Sequence, residues 1–464
     1  MIRKIKKILE KPIYVYLLGI SYVVYKLSFD IYSFDVGIIC LFLFAFLVGT
    51  ALVQFIFKRV FRFAYSAPFV CICWLLFFFY YPIVGQIHAL LGHNIVIKHK
   101  WIWILAIAVG LCFSYISFCA KRHNATINRF FNSFFLILLL IISADISKTY
   151  ITAESRLRQQ YQNYKEITGK QVRTKGKDIV WILMDEYTSS YYLKEKLNYN
   201  NPLDTFLQRR GFDLFQNIES RYDATLFSLN SIYNMDDTVS PYSFVYATHS
   251  LRHSVFPKIL SSNGYRFKNI SLFDIGGCNR IKTRIDYYHS LLFKLLEGTM
   301  GEFILVNWSA TAFSDAKYLF KDLSIDYNDY VLQELKNNLQ ADTIRREPTF
   351  LYAHFLIPHV PYYTFDGNKK ILRKIKNVDS IKTAYVDYVD LGNKMLMKLL
   401  DTHLLDGKVI IISGDHGIRY DFLGNVPPHL KFPFAAIYLP YEHDGTDLKS
   451  IKYISQLPAF LLQQ

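Results

Sequence analysis

The first 146 residues of this 464-residue chain contain five long apolar runs, and no other feature constrains its fold as strongly. Each run approaches or exceeds the roughly 20 residues that cross a bilayer as a helix, so the sequence predicts a bundle of five transmembrane helices over residues 1–146. The first run is the weakest, because it is short and contains Lys26. The runs are Ile13–Phe29, Val36–Phe57, Ala64–Leu90, Trp101–Ala120 and Phe130–Ile146.

Basic residues mark one side of these runs. They precede the first run and follow the second and the fourth, whereas the loops on the other side contain little beyond Lys98 and Lys100. The positive-inside rule then places the N-terminus in the cytoplasm, and five spans export everything after about residue 147. Because the net charge of +15 partly reflects this topology, we expect no nucleic-acid partner.

The rest of the chain is predicted to form a connector and one exported domain. Residues 147–177 are polar and charged with helical spacing, which indicates either a solvated connector helix or an amphipathic helix lying on the bilayer. From 178 to 464, apolar strand-like runs alternate with helical patterns, which predicts an α/β domain with a largely parallel central sheet. Cys278 is its one cysteine, so roughly 300 residues must be stabilised by a hydrophobic core and not by disulfides.

Three strand-like runs of the exported domain lead to side chains suited to metal or proton chemistry. Ligands of α/β sheets collect where strands end, so three such ends predict one site. Adjacent carboxylates repel unless a cation or a proton lies between them, which favours metal ligation by at least one of Asp185 and Glu186; the alternative is that one caps the next helix. The run 178–184 leads to Asp185 and Glu186, the run 349–355 to His354 and His359, and the run Val409–Ile412 to Asp415 and His416.

Thr225 is a candidate nucleophile. It stands just before an apolar helical pattern in SRYDATLFSLNSIYNM (220–235), and the N-terminus of a helix suits a phosphate or an oxyanion. The same position also suits an ordinary N-cap, which is the stronger interpretation when the residue is judged alone.

Three histidines allow two interpretations each. His354 lies within a strand, where it is either a structural histidine of the core or part of the site. His359 follows Pro358 at the end of that strand, in a rigid turn that would hold it near the site. His429, on a Pro-rich loop 14 residues after Asp415, either closes over the metal or is simply exposed.

Together these features resemble the sulfatase-like branch of the alkaline phosphatase superfamily, and within it the membrane phosphoethanolamine transferases and the lipoteichoic acid synthases. The resemblance is carried by five spans, an exported α/β domain, an acidic strand end, a threonine about 40 residues later, and the segments PHVPY and SGDHG. It implies that one divalent metal, Zn or Mn, is held by Asp185 or Glu186, Thr225, Asp415 and His416. It also implies that Thr225 is the nucleophile and that His359 contacts the phosphate or assists proton transfer, with His354 and His429 binding substrate.

The resemblance further implies a monomeric enzyme of the bacterial inner membrane with a periplasmic catalytic domain. It would move a phosphoethanolamine or phosphoglycerol headgroup from a membrane phospholipid, through a phospho-threonine, to an envelope glycan or lipid, as in lipopolysaccharide modification. Two features depart from the transferase pattern: Asp185-Glu186 stands where a single glutamate is usual, and the exported domain lacks several cysteines.

Other functions remain open from the residues. A phosphodiesterase or phosphatase of the same fold would use water in the second step, and a non-catalytic envelope assembly protein would use the fold for binding. Sulfate ester hydrolysis by the classical route is not expected, because Cys278 lies in GGCNRI and not in a C/S-x-P-x-R segment.

Overall fold

The computed structural model describes residues 7–29, 36–60, 67–91, 104, 107–112, 115–116, 119, 124–164, 172, 174, 176–237, 244–281, 295–296, 298–301, 323–341, 347–360, 362–366, 369–372, 378–419, 431–441 and 448–462. The chain divides into two compact units. Residues 1–152 and 286–318 form the first unit, and residues 153–285 and 319–464 form the second.

Apolar helices make up the described part of the first unit. They are α1 (Tyr14–Phe29), α2 (Val36–Val60), α3 (Ala67–Phe78), α4 (Tyr80–Leu91) and the start of α5 (Asn124–Tyr164), which continues into the second unit. Two segments, Ile39–Phe57 and Asn124–Arg156, are long and apolar enough to cross a membrane, and α3 with α4 adds a third if the pair is one broken span. With 16 residues, α1 is shorter than these, and half of the fourth predicted run lies outside the described residues. The count of five spans therefore stays a prediction.

The third predicted run differs from a single helix. It forms α3 and α4, which meet at Phe79 with a bend of 81°. Pro82 supplies the physical reason, because a proline ring clashes with the carbonyl group four residues earlier in a continuous helix, here that of Phe78. A further backbone bond accompanies the bend, since the Tyr81 N–H donates to the carbonyl oxygen of Gly298 over 3.2 Å.

A six-stranded sheet lies at the centre of the second unit. Its strands are β1 (Ile179–Met184), β2 (Asp213–Leu214), β3 (Arg266–Ile270), β4 (Thr349–Phe355), β7 (Val409–Gly414) and β8 (Ala435–Tyr438), and a separate hairpin contains β5 (Tyr363–Asp366) and β6 (Lys369–Leu372). The strand order is β2-β8-β7-β1-β4-β3. The four strands β7, β1, β4 and β3 run parallel, whereas β8 and β2 pair antiparallel. The predicted α/β class with a largely parallel sheet is confirmed, and the three predicted strands are neighbours.

The central strands are apolar throughout because both faces of the sheet are covered. On β1, the side chains of Ile179, Trp181 and Leu183 belong to one hydrophobic cluster. Those of Val180, Ile182 and Met184 belong to the other cluster, on the opposite face. This alternation decides which way the residues that follow each strand point.

Helices cover both faces. They are α6 (Ser190–Leu197), α7 (Pro202–Arg209), α8 (Thr225–Asn234), α9 (Phe244–Arg252), α10 (Val255–Ser262), α11 (Leu323–Ala341), α12 (Val378–Leu400) and α13 (Gln456–Phe460). The apolar residues of α8 and α10 pack with Trp181, whereas those of α11 and α12 pack on the other face. Helices predicted from periodicity near 254–260 and 381–400 are confirmed as α10 and α12. The connector is helical as far as Tyr164, in continuity with the fifth apolar run.

Candidate metal centre

The register of the sheet brings two acidic strand ends together. Leu183 of β1 lies opposite Ser413 of β7, and Trp181 on the same face donates a 2.9 Å hydrogen bond from Nε1 to Ser413 Oγ. Because side chains alternate along a strand, Asp185 and Asp415 continue on this face, which is the face that α8 covers. The side-chain period of two along a strand therefore determines the face on which these two carboxylates lie.

Asp185, Asp415 and His416 form a group that could hold a metal ion. One ligand atom from each of the three lies within 4.8 Å of those of the other two. All three residues are buried, with exposed fractions of 4%, 0% and 0%. Two carboxylates and an imidazole at this spacing, away from water, are a donor set that zinc and manganese both accept.

The hydrogen bonding of His416 supports this assignment. Its Nδ1 lies 2.8 Å from the carbonyl oxygen of Gly417 and donates to it, so Nε2 is the ring nitrogen that can ligate a metal. That Nε2 atom lies 3.3 Å from Asp415 Oδ2, a buried oxygen that has no hydrogen-bond partner within the part of the chain that the structure describes. Because a buried carboxylate oxygen without a partner is costly, the two residues fit a divalent ion held between them.

Asp415 is oriented by the backbone. Its Oδ1 accepts hydrogen bonds from the N–H groups of Glu186 (3.1 Å) and His416 (3.0 Å), which fixes the carboxylate and leaves Oδ2 for another ligand. Gly414, before it in SGDHG, must lack a side chain, because a Cβ there would overlap the carbonyl oxygen of Tyr187. The glycine thus lets β7 pass close to the acidic turn that follows β1.

Glu186 differs from Asp185 in position and environment. Its backbone is left-handed, with φ of 61°, an unusual conformation for a residue with a side chain. Its carboxylate lies outside the group of three: Oε1 is 4.0 Å from His359 Nε2 and 3.4 Å from Arg419 Nε. Oε2 is buried and, within the described ranges, accepts no hydrogen bond.

Thr225 is the first residue of α8 and not its N-cap. The N-cap is Ala224, and no side chain makes a capping hydrogen bond there. The Thr225 hydroxyl instead donates a 3.4 Å hydrogen bond to Asp185 Oδ1. The cap interpretation that local sequence favoured is therefore wrong, and the threonine contacts the candidate metal centre.

The structure places two of the three predicted histidines beside these residues. His354 is fully buried, its Nε2 lies 3.6 Å from Asp185 Oδ2, and its ring stacks on Phe273 with a centroid distance of 5.9 Å. The His359 side chain is 24% exposed, and its Nδ1 donates over 2.5 Å to the carbonyl oxygen of Val360. His429 lies outside the described residues.

The adjacent carboxyl groups have opposite pKa shifts. Burial opposes ionisation of Asp185, but the close His354 imidazole and the neighbouring His359 and His416 side chains outweigh it and lower its pKa. Burial dominates at Glu186 and raises its pKa. At His359, burial opposes protonation, but the carboxylates of Asp185 and Glu186 raise the pKa.

Arg419 also contacts the centre, and sequence reasoning missed it. It donates from Nη2 to His416 Nε2 (2.8 Å) and from Nε to the carbonyl oxygen of Asp223 (2.9 Å), and Nη1 lies 3.4 Å from His359 Nε2. The sequence shows a cation three residues after His416, but no local pattern indicates that the side chain folds back over the site.

Comparisons with known proteins give similarity at the level of structure. No protein-family model matches the chain, and no curated protein sequence matches it. Lipooligosaccharide phosphoethanolamine transferase A, an integral membrane protein of Neisseria meningitidis, is 12% identical, with a TM-score of 0.43 over 96% of this chain and 95% of that chain.

Two further solved structures cover a smaller share of this chain. The periplasmic domain of phosphoethanolamine transferase EptC from Campylobacter jejuni is 13% identical, with a TM-score of 0.39 over 62% of this chain and 90% of that chain. Lipoteichoic acid synthase LtaP from Listeria monocytogenes is 16% identical, with a TM-score of 0.34 over 61% of this chain and 72% of that chain. The two proteins are a phosphoethanolamine transferase and a lipoteichoic acid synthase, the two kinds of enzyme that the sequence motifs resemble. Because the TM-scores lie below 0.5, no activity is transferred from them to this chain.

Proposed function

We propose that the chain is a membrane-anchored, metal-dependent phosphotransferase. It takes a phospho-headgroup of the phosphoethanolamine or phosphoglycerol type from a membrane phospholipid, holds it as a phospho-threonine on Thr225, and passes it to an envelope glycan or lipid. The observation that carries this proposal is the hydrogen bond from the Thr225 hydroxyl to Asp185, a member of the candidate metal group. A hydroxyl in contact with the ligand set is placed to act as a nucleophile.

The chemistry follows from the residues around Thr225. When bound to Asp185, Asp415 and His416, a divalent ion would lower the pKa of the Thr225 hydroxyl and polarise a phosphoryl oxygen. Thr225 Oγ1 gives up its proton and forms a bond to phosphorus, the bond from phosphorus to the diacylglycerol oxygen breaks, and the proton from Thr225 is passed to that oxygen. The positive end of the α8 dipole, at Thr225, favours the negative charge of the phosphoryl group.

The second step reverses the first on a different oxygen. An acceptor hydroxyl attacks phosphorus, the bond to Thr225 Oγ1 breaks, and the acceptor proton returns to Thr225. His359 is proposed to contact the phosphate or to transfer these protons, because its Nε2 lies on the Glu186 side of the site and its pKa is raised. His354 contacts Asp185, and we assign it and His429 to substrate binding.

The apolar helices fit a substrate that cannot leave the bilayer. At least two described helices are long and apolar enough to cross a membrane, and α5 runs from such a segment to Tyr164. We propose a multi-pass protein of the bacterial inner membrane with the α/β unit on the periplasmic side. Anchoring raises the local concentration of the lipid donor at the site.

Mass spectrometry of the full-length protein tests this function. The purified protein, loaded with zinc or manganese, is incubated with vesicles of phosphatidylethanolamine and phosphatidylglycerol and quenched in acid. A headgroup phosphate on the Thr225 peptide, with release of diacylglycerol, is the expected result. A Ser228→Ala variant is the matched control, because Ser228 lies one helical turn away and its hydroxyl bonds to Tyr222 O and Ser220 Oγ.

Two outcomes change the proposal. Diacylglycerol release with only free phospho-headgroup, even when acceptor lipids are present, would indicate a phosphodiesterase. No adduct and no diacylglycerol from either lipid, with metal bound, would contradict the proposed function and favour a non-catalytic envelope protein.

A further inference from the structure

Arg419 extends from the loop after β7 to the candidate metal centre. Its side chain is 40% exposed, yet its guanidinium group contacts Glu186, His359 and His416. The two short contacts are Nη2 to His416 Nε2 at 2.8 Å and Nε to the Asp223 carbonyl oxygen at 2.9 Å. The contacts with His359 Nε2 and Glu186 Oε1 are both 3.4 Å.

The short contact between Arg419 and His416 has a defined direction. Arg419 has only donors, so His416 Nε2 accepts from Nη2 over 2.8 Å. Nδ1 of His416 donates to the Gly417 carbonyl oxygen, which agrees with this assignment. The guanidinium group is thus the cation that His416 Nε2 meets in this structure.

A metal ion held by His416 would take away this acceptor. A ligating His416 would direct its Nε2 lone pair to the metal, so Nη2 of Arg419 would lose its 2.8 Å partner. The bond from Nε to Asp223 O involves no metal ligand and would still anchor the guanidinium group. Asp223 lies two residues before Thr225, so this anchor keeps the group beside the candidate nucleophile.

We propose that Arg419 binds a non-bridging phosphoryl oxygen of the substrate when the metal is in place. The inference rests on the proposed function for the identity of the ligand as a phosphate ester. A guanidinium group matches two oxygens of a phosphate with parallel N–H donors, and these charge-assisted bonds are strong. Its side chain is partly exposed, so a substrate in solution or in the membrane can reach the guanidinium group.

A purely stabilising ion pair with Glu186 would explain the geometry less well. The Arg419–Glu186 distance of 3.4 Å is longer than a charge-assisted hydrogen bond, and the arginine is partly solvated. The shorter contact goes to an imidazole, a neutral acceptor that offers no countercharge.

Anion binding to the zinc-loaded, full-length protein in detergent tests the proposal. The probes are inorganic phosphate, which stands for a phosphomonoester, and dimethyl phosphate, which stands for the donor diester, each titrated by calorimetry. Arg419→Met keeps the apolar stem and should weaken phosphate binding by about 10- to 100-fold, the effect of losing hydrogen bonds to a charged group. Arg419→Lys, which keeps the charge without the fork, should lose less.

Zinc affinity, measured by competition with a chelator, is the second readout. Removal of a cation beside the ion should leave zinc affinity of Arg419→Met equal or higher. The matched control is Arg210→Met, because the Arg210 side chain is 39% exposed and forms a surface ion pair with Asp401. It should change neither readout.

The two anions distinguish a donor site from an acceptor site. Weakened binding of dimethyl phosphate assigns Arg419 to the donor, and weakened binding of inorganic phosphate alone assigns it to a phosphomonoester acceptor. Unchanged binding of both anions, or a fall in zinc affinity that accounts for the loss, would overturn the proposal. Anion binding needs no group transfer, so an Arg419-dependent anion site would persist even if no Thr225 adduct formed.

Discussion

The hydroxyl group of Tyr385 donates a 2.7 Å hydrogen bond to the backbone carbonyl oxygen of Glu186. The same hydroxyl accepts a 3.1 Å hydrogen bond from the N–H group of Thr188. One side chain of α12 thus satisfies two buried backbone groups of the acidic turn, which follow the left-handed Cα of Glu186 and flank Tyr187. The N–H group of Glu186 in this turn donates a hydrogen bond to Asp415 Oδ1. A helix on the far face of the sheet therefore helps to orient the candidate metal centre.

Tyr385→Phe should therefore lower both stability and metal affinity. It leaves buried backbone groups without partners, which costs about 1–3 kcal/mol. Thermal unfolding and zinc titration of the full-length protein measure the two effects. Tyr233→Phe is the control, because that fully buried hydroxyl has no hydrogen-bond partner among the residues that could be described. Equal zinc affinity in parent and Tyr385→Phe would show that the turn does not depend on this bond.

Thr225→Ala should abolish headgroup transfer with little loss of stability. Thr225 is not the N-cap of α8, so the usual cost of about 0.5–2 kcal/mol for losing a cap does not apply. Thr225→Ser keeps the hydroxyl and should retain part of the activity. The measurements are transfer of headgroup from vesicles and the thermal midpoint. Transfer by Thr225→Ala near the parental rate would move the nucleophile elsewhere.

Asp415→Asn and His416→Ala should each lose bound metal while the α/β unit stays folded. The asparagine oxygen can still accept from the two backbone N–H groups, so Asp415→Asn removes mainly the ligand charge. Elemental analysis and circular dichroism after purification test this expectation. Asp401→Asn, at a 60% exposed side chain in an ion pair with Arg210, is the control. Parental metal content in both variants would remove these residues from the ligand set.

The predicted orientation can be tested with a reporter enzyme that is active only outside the cytoplasm. Fused after residue 170, it should be active, because an odd number of spans with basic cytoplasmic loops exports this position. The same reporter fused after Arg59, which follows the second span, should be inactive. Activity after Arg59 and none after residue 170 would reverse the topology.

The sequence by itself determined the strands and where their polar ends lie. Strands buried on both faces must be apolar throughout, so β1, β4 and β7 are recognisable in the sequence as continuous apolar runs. Asp185, His354 and Asp415 stand out because they interrupt or follow these runs. The apolar length of α2 and of the first part of α5 is likewise a local property, which is why both were predicted.

Only the tertiary structure decided how these ends combine. Strand order places β7 and β4 on either side of β1, and this order depends on packing between segments far apart in sequence. Long-range contacts also set the left-handed Glu186, which α12 supports, and the fold of Arg419 over His416. At Thr225 the local signal was misleading: capping preference favours a threonine at the N-cap, but the helix begins one residue earlier than that preference requires, with Ala224 as cap, and the hydroxyl turns to Asp185. Periodicity reports which face a residue occupies, whereas the partner it meets there depends on the rest of the chain.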